Sequence, residues 1–126
     1  MPSKVVDSSI VAAIAFNEPR ADEAGRLLEG NDLYAPRLLS YELTNTAWKK
    51  ARQHPADVGS IKAGLEWALL MGIHLMDIPH QTVLELALQT SLSAYDASYL
   101  YLARTLGADL VTFDEELATA ASQSSS

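Results

Sequence analysis

At 126 residues the chain is long enough to bury one hydrophobic core and too short for two. Apolar residues make up 48% of it, which argues for a folded globule, and the absence of cysteine excludes disulfides, thiolate metal sites and cysteine nucleophiles. Nine Lys and Arg against sixteen Asp and Glu give a net charge of −7, which speaks against a protein whose main task is gripping duplex nucleic acid but not against an enzyme acting on RNA.

Hydrophobic periodicity predicts strands and helices in alternation. Lys4 to Val6 reads as a first strand that runs into Asp7, followed by a helix from about Ser8 to Phe16. Asn17-Glu18-Pro19 breaks it, and a second helix is expected over Ala21 to Leu28. Gly30-Asn31-Asp32 is a turn by composition, and Leu33-Tyr34-Ala35 a short strand closed by Pro36. A long helix from Leu38 to Gln53 ends at His54-Pro55, because the residue before proline is pushed out of the α region. Its basic end, Lys49, Lys50, Arg52 and His54, is expected to be a solvated helix terminus.

Ala56 to Met71 is expected to be helical again, with Gly72 stopping it and a third strand over Ile73 to Ile78. Pro79 suits the first turn of a helix reaching Thr90. A further helix spans Ala94 to Leu106 and stops at Gly107. Asp109 to Phe113 is a fourth strand that runs into Asp114, and Glu115 to Ala121 a last helix. Residues 1–121 form the folded domain and Ser122 to Ser126 a flexible polar tail. No stretch approaches the roughly 20 apolar residues of a membrane span and no leader pattern is visible, so a soluble cytoplasmic protein is expected. Strands separated by helices call for a parallel sheet of α/β class with helices on both faces, joined by right-handed crossovers.

Four acids from distant parts of the chain share one expected location. In such a sheet, ligands bind outside the carboxyl ends of the strands, where strand order reverses. Asp7 and Asp114 are each expected one residue beyond a strand, while Glu42 and Asp96 stand near helix starts facing the same edge. Each alone is explained by helix capping or solvation. Together they would repel one another, and a hard divalent cation resolves that repulsion. Ser9 and Thr112, two residues from Asp7 and Asp114, are placed to orient a carboxylate or a water. Their bland roles are local capping and strand packing. The histidines His54, His74 and His80 have no metal-ligand spacing, and no Gly-rich phosphate loop occurs. Tyr95 and Tyr99 share a helix face away from Tyr101, a pattern that favours packing over base stacking.

The segments Val5-Val6-Asp7-Ser8-Ser9, Tyr41-Glu42-Leu43-Thr44-Asn45, Ser93-Ala94-Tyr95-Asp96-Ala97-Ser98-Tyr99 and Thr112-Phe113-Asp114-Glu115-Glu116-Leu117 occur in the order seen in PIN domains, which this chain resembles from Lys4 to about Ala121. The likeness is greatest to the VapC-type toxins of prokaryotic toxin–antitoxin pairs. The resemblance implies a three-layer fold around a parallel sheet of four or five strands and a metal-dependent endoribonuclease using one or two Mg²⁺ or Mn²⁺ ions. Asp7, Glu42, Asp96 and Asp114 take the family's acidic positions, with Ser9 and Thr112 as supporting hydroxyls, and Glu115 or Glu116 as candidates to share the Asp114 role. It also implies a homodimer and a cognate antitoxin that occupies the acidic cleft. No residue offers itself as a separate general base. Two rivals remain. A non-catalytic PIN-fold module binding a basic peptide would keep the cleft without nuclease activity. A phosphoacceptor domain wants a lysine after a late strand, and none follows Lys62.

Overall fold

The computed structural model of the chain describes residues 2–123. In chain order the elements are β1 (Ser3–Val6), α1 (Ser8–Ala15), α2 (Ala21–Leu28), β2 (Asp32–Pro36), α3 (Leu38–Gln53), α4 (Val58–Leu70), β3 (His74–Met76), α5 (His80–Thr90), α6 (Ala94–Leu106), β4 (Asp109–Val111) and α7 (Glu115–Gln123). All strand pairs are parallel and the sheet order is β3-β2-β1-β4. β1 is central, and its Val5 and Val6 are β-branched and fully buried, as a strand covered on both faces requires.

The chain steps from β1 to β2 to β3 in one direction, then returns to lay β4 on the far side of β1. With right-handed crossovers this puts α1 to α4 on one face and α5 and α6 on the other. The packing agrees: α1, α2, α3 and α4 contact one another, while α6 packs on β1, β2 and β4 between α5 and α7. The order therefore reverses between β1 and β4, and their carboxyl ends form the switch-point crevice. Ile10, Val11, Leu39, Leu43, Leu100 and Leu117 join the two valines in the core. Each such buried side chain contributes roughly 1.5–3 kcal/mol.

The expected boundaries of α3 and α6 match the observed ones. Ser93 caps α6 by accepting from the Asp96 N–H at 3.1 Å, and Gly107 ends it with φ +62°, a left-handed value that suits glycine. Gly64 lets α4 cross α1 closely, since a Cβ there would lie 2.2 Å from the Ala15 carbonyl oxygen.

Four elements differ from expectation by two residues at one end. Pro55–Asp57 forms a 3₁₀ turn, so α4 starts only at Val58. β3 is limited to His74–Met76, the three residues that pair with β2. β4 stops at Val111 instead of Phe113 because the next amide N–H groups leave the ladder: Phe113 N–H bonds the Ser9 hydroxyl at 3.0 Å, and Asp114 N–H the Thr112 hydroxyl at 2.9 Å. α7 continues through Ser122 to Gln123, two residues into the expected polar tail; the rest of that tail, 124–126, lies outside the described residues. Among the described residues no helix is long and apolar enough to cross a membrane.

Candidate active site

Asp7 follows β1 directly and caps α1, accepting from the Ser9 N–H at 2.9 Å. Its Oδ1 also accepts from the Ser9 hydroxyl at 2.6 Å, and its Oδ2 from the Thr112 hydroxyl. Both hydroxyls act twice, because each also accepts a backbone N–H from the segment after β4. A clasp of side chains and amides thus ties the start of α1 to the exit of β4, with Asp7 at its centre and only 5% exposed. Burial pushes the Asp7 carboxyl above the usual carboxylate range, and the bonds from Ser9 and Thr112 offset this only in part.

Glu42 stands in the first turns of α3, half-buried, and its Oε1 accepts a 2.6 Å hydrogen bond from the Tyr99 hydroxyl. Asp96 lies in the first turn of α6, and its carboxylate accepts no hydrogen bond from the described residues. Both carboxyls are pushed up, first by burial and then by neighbouring acids: Asp7 and Asp96 act on Glu42, while Asp114, Asp7 and Glu116 act on Asp96. Asp96 is thus the acid that the charges of Asp114, Asp7 and Glu116 reach, and its own charge reaches Glu42. Of the two glutamates after Asp114, Glu116 is the one whose charge reaches Asp96.

Asp114 departs from the expected position. It lies three residues beyond β4, is exposed, and caps α7 by accepting from the Leu117 N–H at 2.9 Å. The residue level with Asp7 on the neighbouring strand is Thr112, since Val6 pairs with Val111. Thr112 is accordingly a partner of Asp7 and not a packing residue of the strand.

Among the described residues, no three carboxylates or imidazoles come close enough to close round one metal ion. Both Asp7 oxygens, one of Glu42 and one of Asp114 already accept from protein donors. The donor set still fits a hard cation of the Mg²⁺ class, which takes oxygen ligands, keeps several waters and needs only one or two carboxylates. It does not fit an all-protein cage. Carboxyls raised by burial and mutual repulsion are also what a nearby cation would relieve.

Tyr99 is the site residue that periodicity alone assigns to packing. Its ring is in the core, yet its hydroxyl bonds Glu42, 57 positions away in sequence. One signal for it exists: Tyr99 follows Asp96 by three residues, so both share a face of α6. Tyr95, by contrast, is 63% exposed. The basic end of α3 is partly engaged locally, with Lys50 paired to Glu18 at 2.7 Å and Arg52 over the Trp48 ring at 4.8 Å.

Comparison with known proteins adds an independent line. The family model for the PIN domain matches residues 4–122. Ribonuclease VapC3 of Pyrobaculum aerophilum is 32% identical over 119 residues, covering 90% of this chain and 91% of that protein. Exonuclease VapC9 of the same organism is 40% identical over 80 residues, 64% of this chain and 60% of that protein. The crystal structure of PAE2754, also from Pyrobaculum aerophilum, superposes with a TM-score of 0.76 at 33% identity, covering 94% of this chain and 85% of that one.

Proposed function

We infer the function from one premise: the chain belongs to the PIN-domain family. It is a VapC-type toxin ribonuclease, and its finer activity is that of a divalent-metal-dependent endoribonuclease hydrolysing RNA phosphodiester bonds. The observation that carries this is the set of acids Asp7, Glu42 and Asp96, all with carboxyls pushed up, in a chain that matches a ribonuclease over nine-tenths of both lengths.

Asp7, Glu42 and Asp96, with Asp114 at the outer rim, are the residues that would hold one or two Mg²⁺ or Mn²⁺ ions. When bound, such an ion supplies Lewis acidity toward the phosphate and toward water. The protein's part is positional. Ser9 and Thr112 lock the Asp7 carboxylate so that it cannot turn away from the cleft. Asp96 keeps its oxygens free of donors from the described residues, and the pool of negative charge keeps the RNA backbone out until cations offset it. The partners that go with this function are RNA, a cognate antitoxin that blocks the cleft and a second copy of the chain, all in the cytoplasm.

The relatives differ in activity by name, one a ribonuclease and one an exonuclease. A circular RNA separates the possibilities, since it offers no end. Purified chain with Mg²⁺ is expected to linearise it; degradation of linear RNA with the circle left whole would make the enzyme an exonuclease. Failure on both, by folded protein against total RNA of the source cell, would favour a binding module for a basic peptide.

A further inference from the structure

We propose that Tyr99 is a positioning residue: its buried hydroxyl holds the Glu42 carboxylate in the acidic cleft, in the orientation that cation binding uses. The proposal rests on the nuclease reading above and goes beyond it, because it assigns a task to a residue outside the acidic set. Tyr99 is 1% exposed, and its ring sits among core residues of α6, so it has no freedom to swing. Among the described residues, the 2.6 Å hydrogen bond from its hydroxyl is the one fixed contact on the Glu42 carboxylate, and Oε2 is left for other partners. Glutamate loses much rotamer freedom when it is ordered, and a donor already immobile in the core removes most of that cost before a cation arrives.

The geometry also links the two halves of the cleft. Asp96 and Tyr99 lie three residues apart on α6, so one helix presents an acid of its own and orients an acid of α3. A tyrosine needed only for packing would be replaceable by phenylalanine without consequence for Glu42.

Mn²⁺ binding to the purified chain, followed by calorimetry, tests this without relying on turnover. Wild type, Tyr99→Phe, Glu42→Ala and the double variant are compared, with thermal unfolding in chelator as the control for folding. Tyr99→Phe is expected to unfold cooperatively and to bind Mn²⁺ roughly 10-fold or more weakly, the loss typical of removing a group that orients a metal ligand. The same substitution made on Glu42→Ala is expected to cost nothing further, because the group it positions is gone. In cleavage assays kcat falls while the KM for RNA stays. Glu42→Asp supplies a second test that leaves the core intact: its shorter side chain cannot reach the Tyr99 hydroxyl, so its affinity should fall comparably. Wild-type affinity in Tyr99→Phe or in Glu42→Asp, or an equal loss from Tyr99→Phe in both backgrounds, would overturn the proposal. No Mn²⁺ binding by the wild-type chain would refute the metal reading itself, a result visible before any variant is made.

Discussion

Asp7 and Asp96 open two different helices at the same edge of the sheet, and their surroundings could hardly differ more. Asp7 is buried and every oxygen has a protein donor, three in all from Ser9 and Thr112. Asp96 is half-buried, its carboxylate has no donor among the described residues, and the charges of Asp114, Asp7 and Glu116 press on it. On the Asp7 side, a clasp of hydrogen bonds ties the start of α1 to the exit of β4. On the Asp96 side, a half-buried carboxyl stands among other acids and is pushed up by burial and by their charges. Equal acids in a motif need not be equal in their surroundings: protein donors offset part of the burial cost at Asp7, whereas none among the described residues does so at Asp96.

The largest expected effect tests whether both halves serve the reaction. Asp7→Asn and Asp96→Asn should each lower metal-dependent cleavage and metal affinity together, by roughly 100-fold or more, at the upper end of what lost groups around a metal cost. Retained cleavage by both variants would break the assignment. Stability then separates the two halves. Thr112→Val removes the hydroxyl that serves Asp7 and the Asp114 N–H, and should lower unfolding free energy in urea by about 1–2 kcal/mol. Asp96→Asn breaks none of the clasp's hydrogen bonds and should leave the midpoint unchanged or raise it.

pH sharpens the same contrast. The carboxyls of Asp7, Glu42 and Asp96 are raised in the folded state. Their favourable contribution is therefore full below the ordinary carboxylate values near about 4 and is lost as pH rises through the folded values. Without divalent cation, the melting temperature should decline over that interval. Mg²⁺ should flatten the decline, and Asp96→Asn should reduce it even without Mg²⁺. A melting temperature that climbs across the interval would contradict the upward shift of all three carboxyls. Asp114→Asn is expected to have the smallest effect: asparagine caps a helix as well as aspartate does, so stability should change by only a few tenths of a kcal/mol. Its loss of cleavage should be the least among the four acids.

Much of the site is legible in the sequence. The strand and helix ends that carry the candidate residues are readable from valine runs, from Pro55 and from Gly107. The last two residues of the expected fourth strand are not. Thr112 and Phe113 continue its apolar pattern, and only contacts with Asp7 and Ser9, more than a hundred residues away, pull them off the ladder. For the same reason the pattern puts Asp114 closer to Asp7 than the structure does. Tyr99 escapes because periodicity identifies a buried face but not the partner at the end of a buried ring; that partner, Glu42, belongs to another helix. Local rules fix elements, whereas the side-chain bonds that terminate and orient them are settled by tertiary structure.

The most direct test of the account is cleavage of the source cell's total RNA by purified chain freed of any antitoxin, with Mg²⁺, with Mn²⁺ and with chelator, alongside Asp96→Asn shown to be folded. Cutting is expected with either ion, with none in chelator and none from the variant. Cutting that persists in chelator or in Asp96→Asn would contradict it.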